Sequence, residues 1–246
     1  MRASRGRARI GLLVPFTNIN LEPDMALMAP AGISFHSARM GGYDAGEIPD
    51  EQQMGGLGEA DLDGPLQLLA GVRPDLVIYG CTSATLVHGT AFDRALADKI
   101  TGQSGAKTVT AAGALLHALS YLDLDRIGFA SPYTRTVNDR AIAFLQDIGI
   151  EVVSRADFGA TLDNIGQGAL TPEEVLTLGQ SADHPEAQAI LLSCTEMRSV
   201  ETLERLEQNL GKPVISSNQA LLFQALRLLG IPDPIPGFGR LLREER

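Results

Sequence analysis

"RIGLLVPFTN" (Arg9 to Asn18) and "RIGFASPYTR" (Arg126 to Arg135) are near copies of each other, 117 positions apart in the chain. In each copy an apolar run follows a basic residue and ends at Pro, an aromatic residue and Thr, which predicts a buried strand ending in a turn. Three further pairs of segments recur in the same order: Gly32 to Met40 with Gly149 to Asp157, Pro74 to Thr85 with Ala187 to Arg198, and Lys107 to Leu119 with Lys212 to Leu226. The chain therefore consists of a duplicated half.

Strand-like runs alternate with helical patterns inside each half. Asp63 to Pro74 and Val137 to Gly149 both have apolar residues at helical spacing, and each pattern stops at a glycine, with Gly149 as the expected C-cap. Such alternation is typical of parallel sheets covered by helices. We expect an α/β fold of two similar lobes with the active site in the cleft between them.

The last repeated segment indicates how the lobes divide the chain. Lys212 to Leu226 matches the segment that joins the two halves, so the C-terminal helix should pack back on the first lobe. We therefore assign residues 1–115 and 217–246 to the first lobe and residues 116–216 to the second.

Composition excludes several classes of partner. A net charge of −10 argues against nucleic acid or an anionic membrane as a partner. The Arg-rich N-terminus leads into a strand-length run broken by Pro15, and no apolar run reaches the roughly 18 residues of a membrane span. We expect a soluble cytoplasmic protein whose two cysteines are reduced thiols.

The two cysteines occupy equivalent places in the duplicated pattern. Cys81 and Cys194 each follow a predicted strand, and a helix is expected after each of them. Ligands of such sheets bind outside the carboxyl ends of the strands. Backbone N–H groups and a helix N-terminus there favour a thiolate and also hold a carboxylate. The alternative for either cysteine alone is a small buried apolar residue.

Other residue patterns have simpler explanations. His36, His88, His117 and His184 show no metal-ligand spacing, so we interpret them as structural or surface residues. The glycines of residues 55–64 follow no strand and do not form a dinucleotide fingerprint. On their own, Asn18 could be a helix N-cap and Tyr133 a packing aromatic.

These motifs resemble the cofactor-independent aspartate/glutamate racemase superfamily over nearly the whole chain. "VPFTNINLEPD" with Asn18 and Glu22, "SPY", "DNIGQG" and "SSNQALLFQAL" are similar to its maleate isomerase and arylmalonate decarboxylase branch. The resemblance implies that Cys81 and Cys194 are the catalytic pair. It also implies that Asn18, Tyr133 and Asn164 hold substrate carboxylates, and that neither a cofactor nor a metal takes part. Thr82 and Thr195 depart from the isomerase pattern, which leaves the exact substrate open.

Two thiols select among the reactions of this superfamily. By resemblance, arylmalonate decarboxylases keep only the second cysteine, so Cys81 argues against that reaction. We expect an isomerase of a small dicarboxylic acid, with maleate to fumarate the leading case, Cys81 as nucleophile and Cys194 as general acid/base. Backbone N–H groups around Thr82, Ser83 and Thr195 would help to clamp the carboxylates.

Alternatives remain open within and beyond this class. One is an amino-acid or hydantoin-type racemase, in which two cysteines act on opposite faces of one carbon. Another is a two-lobed protein that binds a small acid without turning it over. For each of these functions, the expected partner is a small carboxylic acid and the expected assembly is a homo-oligomer. The glycine-rich segment Ala38 to Pro49 is either a lid over the site or a plain surface loop.

Overall fold

Two four-stranded parallel sheets form the framework of the chain. The computed structural model describes residues 6–244, so the first five and last two positions of the expected first lobe lie outside the described residues. The first sheet has the order β2-β1-β3-β4 and the second the order β6-β5-β7-β8. The strands are β1 Ala8–Pro15, β2 Ile33–Met40, β3 Leu76–Tyr79, β4 Lys107–Thr110, β5 Arg126–Ala130, β6 Glu151–Ala156, β7 Ala189–Leu192 and β8 Val214–Ser216.

The sequence repeat corresponds to this sheet topology. Each repeated pair of segments supplies equivalent strands, β1 with β5, β2 with β6, β3 with β7 and β4 with β8. The strand pairs in both sheets are parallel, so the carboxyl ends of each sheet lie along one edge. The expected α/β fold with two similar parallel sheets is confirmed.

Helices connect the strands and cover the sheets. Within residues 6–244, no helix combines the length and apolar character needed to cross a bilayer. The helices are α1 Leu21–Met28, α2 Glu51–Gly58, α3 Asp63–Ala70, α4 Thr82–Leu86, α5 Thr90–Ser104, α6 Ala111–Tyr121, α7 Arg135–Gln146, α8 Asn164–Gly168, α9 Pro172–Ser181, α10 Leu203–Leu210, α11 Ser217–Leu228 and α12 Arg240–Arg243.

Two helix ends follow the sequence expectation. α7 ends at Gln146, and Gly149 closes it with a φ of +85°, a conformation that favours glycine. The N–H of Gly149 donates to the carbonyl of Gln146 and the N–H of Ile150 to that of Leu145, both at 3.0 Å, which is the pattern of a glycine C-cap. The helix expected after Cys194 is α10, and eight non-helical residues separate it from the cysteine.

The last long helix returns towards the first sheet. α11 packs along α6 and also contacts α1, β3 and β4, while it keeps contacts with β8. Beyond it, Asp233 forms an ion pair with Arg7 next to the start of β1. The C-terminal part of the chain thus contacts the first half, and the residue limits of the two lobes stay a prediction.

The duplicated glycines Gly11 and Gly128 give a matched test of packing. A Cβ on Gly128 would overlap the carbonyl oxygen of Ala182, whereas a Cβ on Gly11 would make ordinary contacts of 3.4 Å or more. We expect Gly128→Ala to lower the free energy of unfolding by about 2–3 kcal/mol. Gly11→Ala should change it by less than about 1 kcal/mol. Urea unfolding of both variants measures the difference, and equal effects would contradict this packing.

Candidate active site

One small cavity lies where the carboxyl ends of the two sheets face each other. Its volume is about 30 Å³, which is room for roughly two water molecules. All eight residues expected at the site line it. The lining residues are Pro15, Thr17, Asn18, Tyr43, Pro49, Met54, Leu57, Cys81, Thr82, Ser83, Tyr133, Asn164, Gln167, Cys194, Thr195 and Glu196.

Cys81 lies at the junction of β3 and α4, where it is the N-cap residue of the helix. Its Sγ is 3.9 Å from Ser83 Oγ, and that hydroxyl donates to Met54 Sδ at 2.8 Å. Thr82 Oγ1 donates to Ser217 Oγ at 2.9 Å, which joins this segment to the start of α11. Hydrogen bonds of the two residues that follow Cys81 thus fix the turn that carries the thiol.

Cys194 follows β7 and is held by a different set of contacts. The backbone N–H of Glu196 donates to its Sγ at 3.3 Å, and the thiol lies 3.9 Å from Gln167 Oε1. The carbonyl of Thr195 accepts from Asn218, and that of Glu196 accepts from Asn20. These two carbonyls thus bind side chains from distant parts of the chain, in the non-helical segment that separates Cys194 from α10.

Burial keeps both thiols protonated near neutral pH. It raises the pKa of Cys81 to about 11, against the opposing effect of hydrogen bonds from the backbone of Ala84 and from Ser83. Burial also raises the pKa of Cys194 to about 12, and the charge of Glu196 adds to the increase. The expectation that helix N-termini would favour thiolates here is wrong, because desolvation exceeds the effect of the backbone donors. Cys81 is nevertheless the more acidic thiol, as expected.

Asn18 connects its own turn to the opposite lobe. Its Oδ1 accepts from the backbone N–H groups of Asn20 and Leu21, at 3.1 and 2.9 Å. Its Nδ2 donates to Thr195 Oγ1 at 3.1 Å, and that hydroxyl donates to the carbonyl of Gly80 at 2.9 Å. The side chain therefore stabilises the start of α1 and also presents an amide to the cavity.

Two buried polar atoms in the cavity wall lack partners. Asn164 Nδ2 finds no acceptor among the described residues, and Tyr133 Oη makes no hydrogen bond of good geometry there, although it lies beside the side chains of Ser193 and Cys194. Burial raises the pKa of Tyr133 well above its usual value, so its hydroxyl stays a donor. An unpaired buried donor is costly, and a carboxylate oxygen in the cavity would satisfy both groups.

Sequence reasoning did not single out several cavity residues. Tyr43, in the segment expected to be a lid, donates from its hydroxyl to Asn164 Oδ1 at 3.0 Å and packs edge-on against Phe16. Gln167 lies on α8 below Cys194. Tyr43 could have been noticed as the aromatic residue of a glycine-rich segment. Gln167 belongs to the "DNIGQG" motif, from which only Asn164 was selected.

Two of the histidines make contacts that are structural. His88 Nε2 lies 2.9 Å from the carbonyl of Gly55, and its ring stacks on Phe92. His36 contacts Ser34 at the strand surface. In residues 6–244 no group of three His, Cys, Asp or Glu side chains is placed to hold a metal ion.

Comparison with known proteins assigns the chain to a family. The family model described as arylmalonate decarboxylase matches residues 10–242. Maleate isomerase of Nocardia farcinica is 33% identical, over 98% of this chain and 97% of its own length. The chain therefore belongs to the arylmalonate decarboxylase family, and the branch that its motifs resemble is confirmed.

Solved structures similar to this chain include two with informative ligands. Maleate isomerase Iso of Pseudomonas putida S16, a Cys-to-Ala variant with maleate, has a TM-score of 0.86 at 25% identity, over 96% of this chain and 97% of that one. A Cys-to-Ser variant of the Nocardia farcinica maleate cis-trans isomerase has a TM-score of 0.88 at 28% identity, over 97% and 99%. That variant carries a covalently bound succinylcysteine intermediate.

The pKa difference between the thiols predicts their order of alkylation. With limiting iodoacetamide near neutral pH, we expect Cys81 to be modified before Cys194, because the thiolate is the reactive form and Cys81 has the lower pKa. The rate should rise about tenfold per pH unit up to at least about pH 10, since neither pKa is reached. Peptide mass spectrometry locates the label. Earlier labelling of Cys194, or a plateau below pH 9, would contradict the assignment.

Proposed function

We propose that this chain isomerises the double bond of a small cis-dicarboxylic acid, with maleate to fumarate the leading case. The observation that carries the proposal is the position of Cys81 and Cys194, on equivalent strand ends of the two sheets, in the wall of one small cavity. The similarity of the chain to maleate isomerases also supports a cysteine-dependent reaction, since a variant of one of them carries a succinylcysteine intermediate.

The proposed reaction needs a sulfur atom on one carbon of the double bond. Cys81 passes its proton to a carboxylate oxygen of the substrate, and its sulfur adds to that carbon to form a C–S bond, while the π electron pair moves to the neighbouring carbon. Cys194 donates a proton to this carbon, which removes its negative charge. The central bond is then single and rotates. The proton returns from carbon to Cys194, the C–S bond breaks, and Cys81 takes its own proton back from the carboxylate. The double bond is restored in the trans form without net oxidation or reduction.

Amide and hydroxyl donors are proposed to hold the two carboxylates. Asn164 Nδ2 is an unpaired donor and Tyr133 Oη makes no hydrogen bond of good geometry, and Asn18, on the opposite lobe, lines the same cavity. The backbone around Thr82, Ser83 and Thr195 supplies N–H groups beside the cysteines. Donors on both lobes would leave one carboxylate fixed while the other moves with the rotating bond.

The alternatives make distinct chemical predictions. A racemase would exchange the hydrogen on a chiral carbon with solvent, and a decarboxylase would release CO2 from an arylmalonate. Cys81 counts against the decarboxylase, although the family model bears that name. Proton NMR in D2O with maleate, aspartate, glutamate, hydantoins and an arylmalonate separates these reactions, and a binding protein would turn over none of them.

We also propose, from the sequence, that the protein is a cytoplasmic homo-oligomer. Size-exclusion chromatography with light scattering measures the assembly directly. A monomer at micromolar concentration would contradict this proposal without affecting the chemistry.

Replacing each cysteine tests their unequal roles. Cys81→Ser should abolish conversion of maleate to fumarate while it leaves diacid binding largely intact, because binding is assigned to other groups. Cys194→Ser should keep a trace of activity at most and should accumulate a maleate adduct on Cys81, which intact-protein mass spectrometry detects. An adduct that maps to Cys194 in the wild-type protein would reverse the assignment.

Tyr43→Phe tests whether the lid segment closes on the substrate. The variant loses one hydroxyl that donates to Asn164 Oδ1 across the cleft. A hydrogen bond of this kind contributes about 1 kcal/mol, so we expect KM to rise roughly fivefold with a smaller change in kcat. Steady-state kinetics with maleate measure both constants. An unchanged KM would show that this contact does not contribute to closure.

A further inference from the structure

Glu196 is a buried acidic group in the cavity wall, and the proposed reaction assigns it no role. It is 7% exposed. Its Oε1 accepts from the backbone N–H of Ile19 at 3.1 Å, and its own N–H donates to Cys194 Sγ at 3.3 Å. Oε2 accepts no hydrogen bond from a described residue. Glu196 thus joins the loop of Cys194 to the loop of Asn18 and has one oxygen free to carry a proton.

The cavity offers no counter-charge to a dianion. Among the described residues that line it there is neither lysine nor arginine. Arg39, whose charge acts on Glu196, is bound on the far side of the Asn18 loop. It donates to the carbonyls of Pro15 and Asn18 and pairs with Glu22. A dicarboxylate in this closed space would therefore lie beside a third negative charge if Glu196 were ionised, and such repulsion is strong where water is excluded.

Burial affects the pKa of Glu196 more than any charged group near it does. Arg39 on β2 lowers its pKa and Asp24 on α1 raises it, while burial is the largest effect and brings the pKa to about 8. Cys194, in the same loop, and Cys81, across the cavity, remain neutral thiols in this pH range. The residues of α8, which pack against the carboxylate, include no titratable side chain.

We propose that Glu196 is neutral when the site holds a diacid, so that at alkaline pH, where the free carboxyl is ionised, binding of the dianion is accompanied by uptake of one proton from solvent. The inference rests on the proposed function and adds to it the protonation state of the bound complex. Oε2 carries the proton while Oε1 keeps its hydrogen bond with Ile19. The number of negative charges that share the cavity falls from three to two.

The direction of the pH dependence follows from this linkage. Below about pH 8 the carboxyl of the free protein is already neutral, so binding takes up little proton. Above that value the free protein has lost the proton, and each bound diacid must recover it. The dissociation constant should then rise by up to about tenfold per pH unit.

Calorimetry with succinate, a four-carbon diacid without a double bond, measures the uptake without turnover. Titrations of the wild-type protein in phosphate and in HEPES at about pH 7, and in borate and in CHES at about pH 9, give the number of protons from the difference in buffer ionisation heat within each pair. We expect this number to rise from near zero to near one. Glu196→Gln keeps an oxygen for the N–H of Ile19, and it should show no uptake and a dissociation constant independent of pH.

Glu173→Gln is the matched control, because this carboxylate is exposed and pairs with Arg205 on the surface. It should behave as the wild-type protein does. Binding of succinate without proton uptake near pH 9 would overturn the inference, and this wild-type measurement decides the matter even if Glu196→Gln fails to fold. Uptake that persists in Glu196→Gln but disappears in Asp24→Asn would overturn the assignment to Glu196. Turnover of maleate without uptake would refute only this inference, whereas absence of both binding and turnover would refute the proposed function as well.

Discussion

The hydroxyl of Thr195 joins the two lobes at the point on which the rest of the site depends. It accepts from Asn18 Nδ2 and donates to the carbonyl of Gly80. Gly80 immediately precedes Cys81, and Thr195 immediately follows Cys194. A single side chain therefore sets the position of one cysteine relative to the other. Gly80 also packs against Leu21 of its own lobe, where a side chain would not fit. The two lobes thus meet at this point through a hydroxyl on one side and a backbone carbonyl on the other.

Closure of the cavity has opposing effects on the proposed chemistry. Excluding water strengthens each hydrogen bond to a carboxylate, but it also raises the pKa of both thiols and so lowers the amount of the nucleophilic form. Backbone donors oppose this increase at both thiols, and the charge of Glu196 adds to it at both. The pKa is about 11 for Cys81 and about 12 for Cys194, so similar strand ends in a duplicated fold hold similarly protonated thiols.

Much of the fold could be predicted from the sequence because the repeat fixes the order of the strands twice. The eight residues expected at the site all line one cavity, and this could be predicted because each follows a strand or belongs to a local motif. Tyr43 could not, since its contact with Asn164 joins positions far apart in the chain. The loop between Cys194 and α10 could not be predicted for a similar reason. Asn20 and Asn218 reach this loop from distant parts of the chain and bind the carbonyls of Glu196 and Thr195. A local sequence pattern does not contain such long-range contacts.

The return of α11 to the first half has a mechanical consequence. The chain passes between the halves twice, once between α6 and β5 and again between β8 and α11. Two neighbouring connections resist twisting of one half against the other, but they permit bending about the line that joins them. The two halves would then open by a hinge motion about these connections, and the carboxyl ends of the two sheets would move apart. Neither half would be a natural unit for separate expression, because each would lose the helix or the strand that the second crossing supplies.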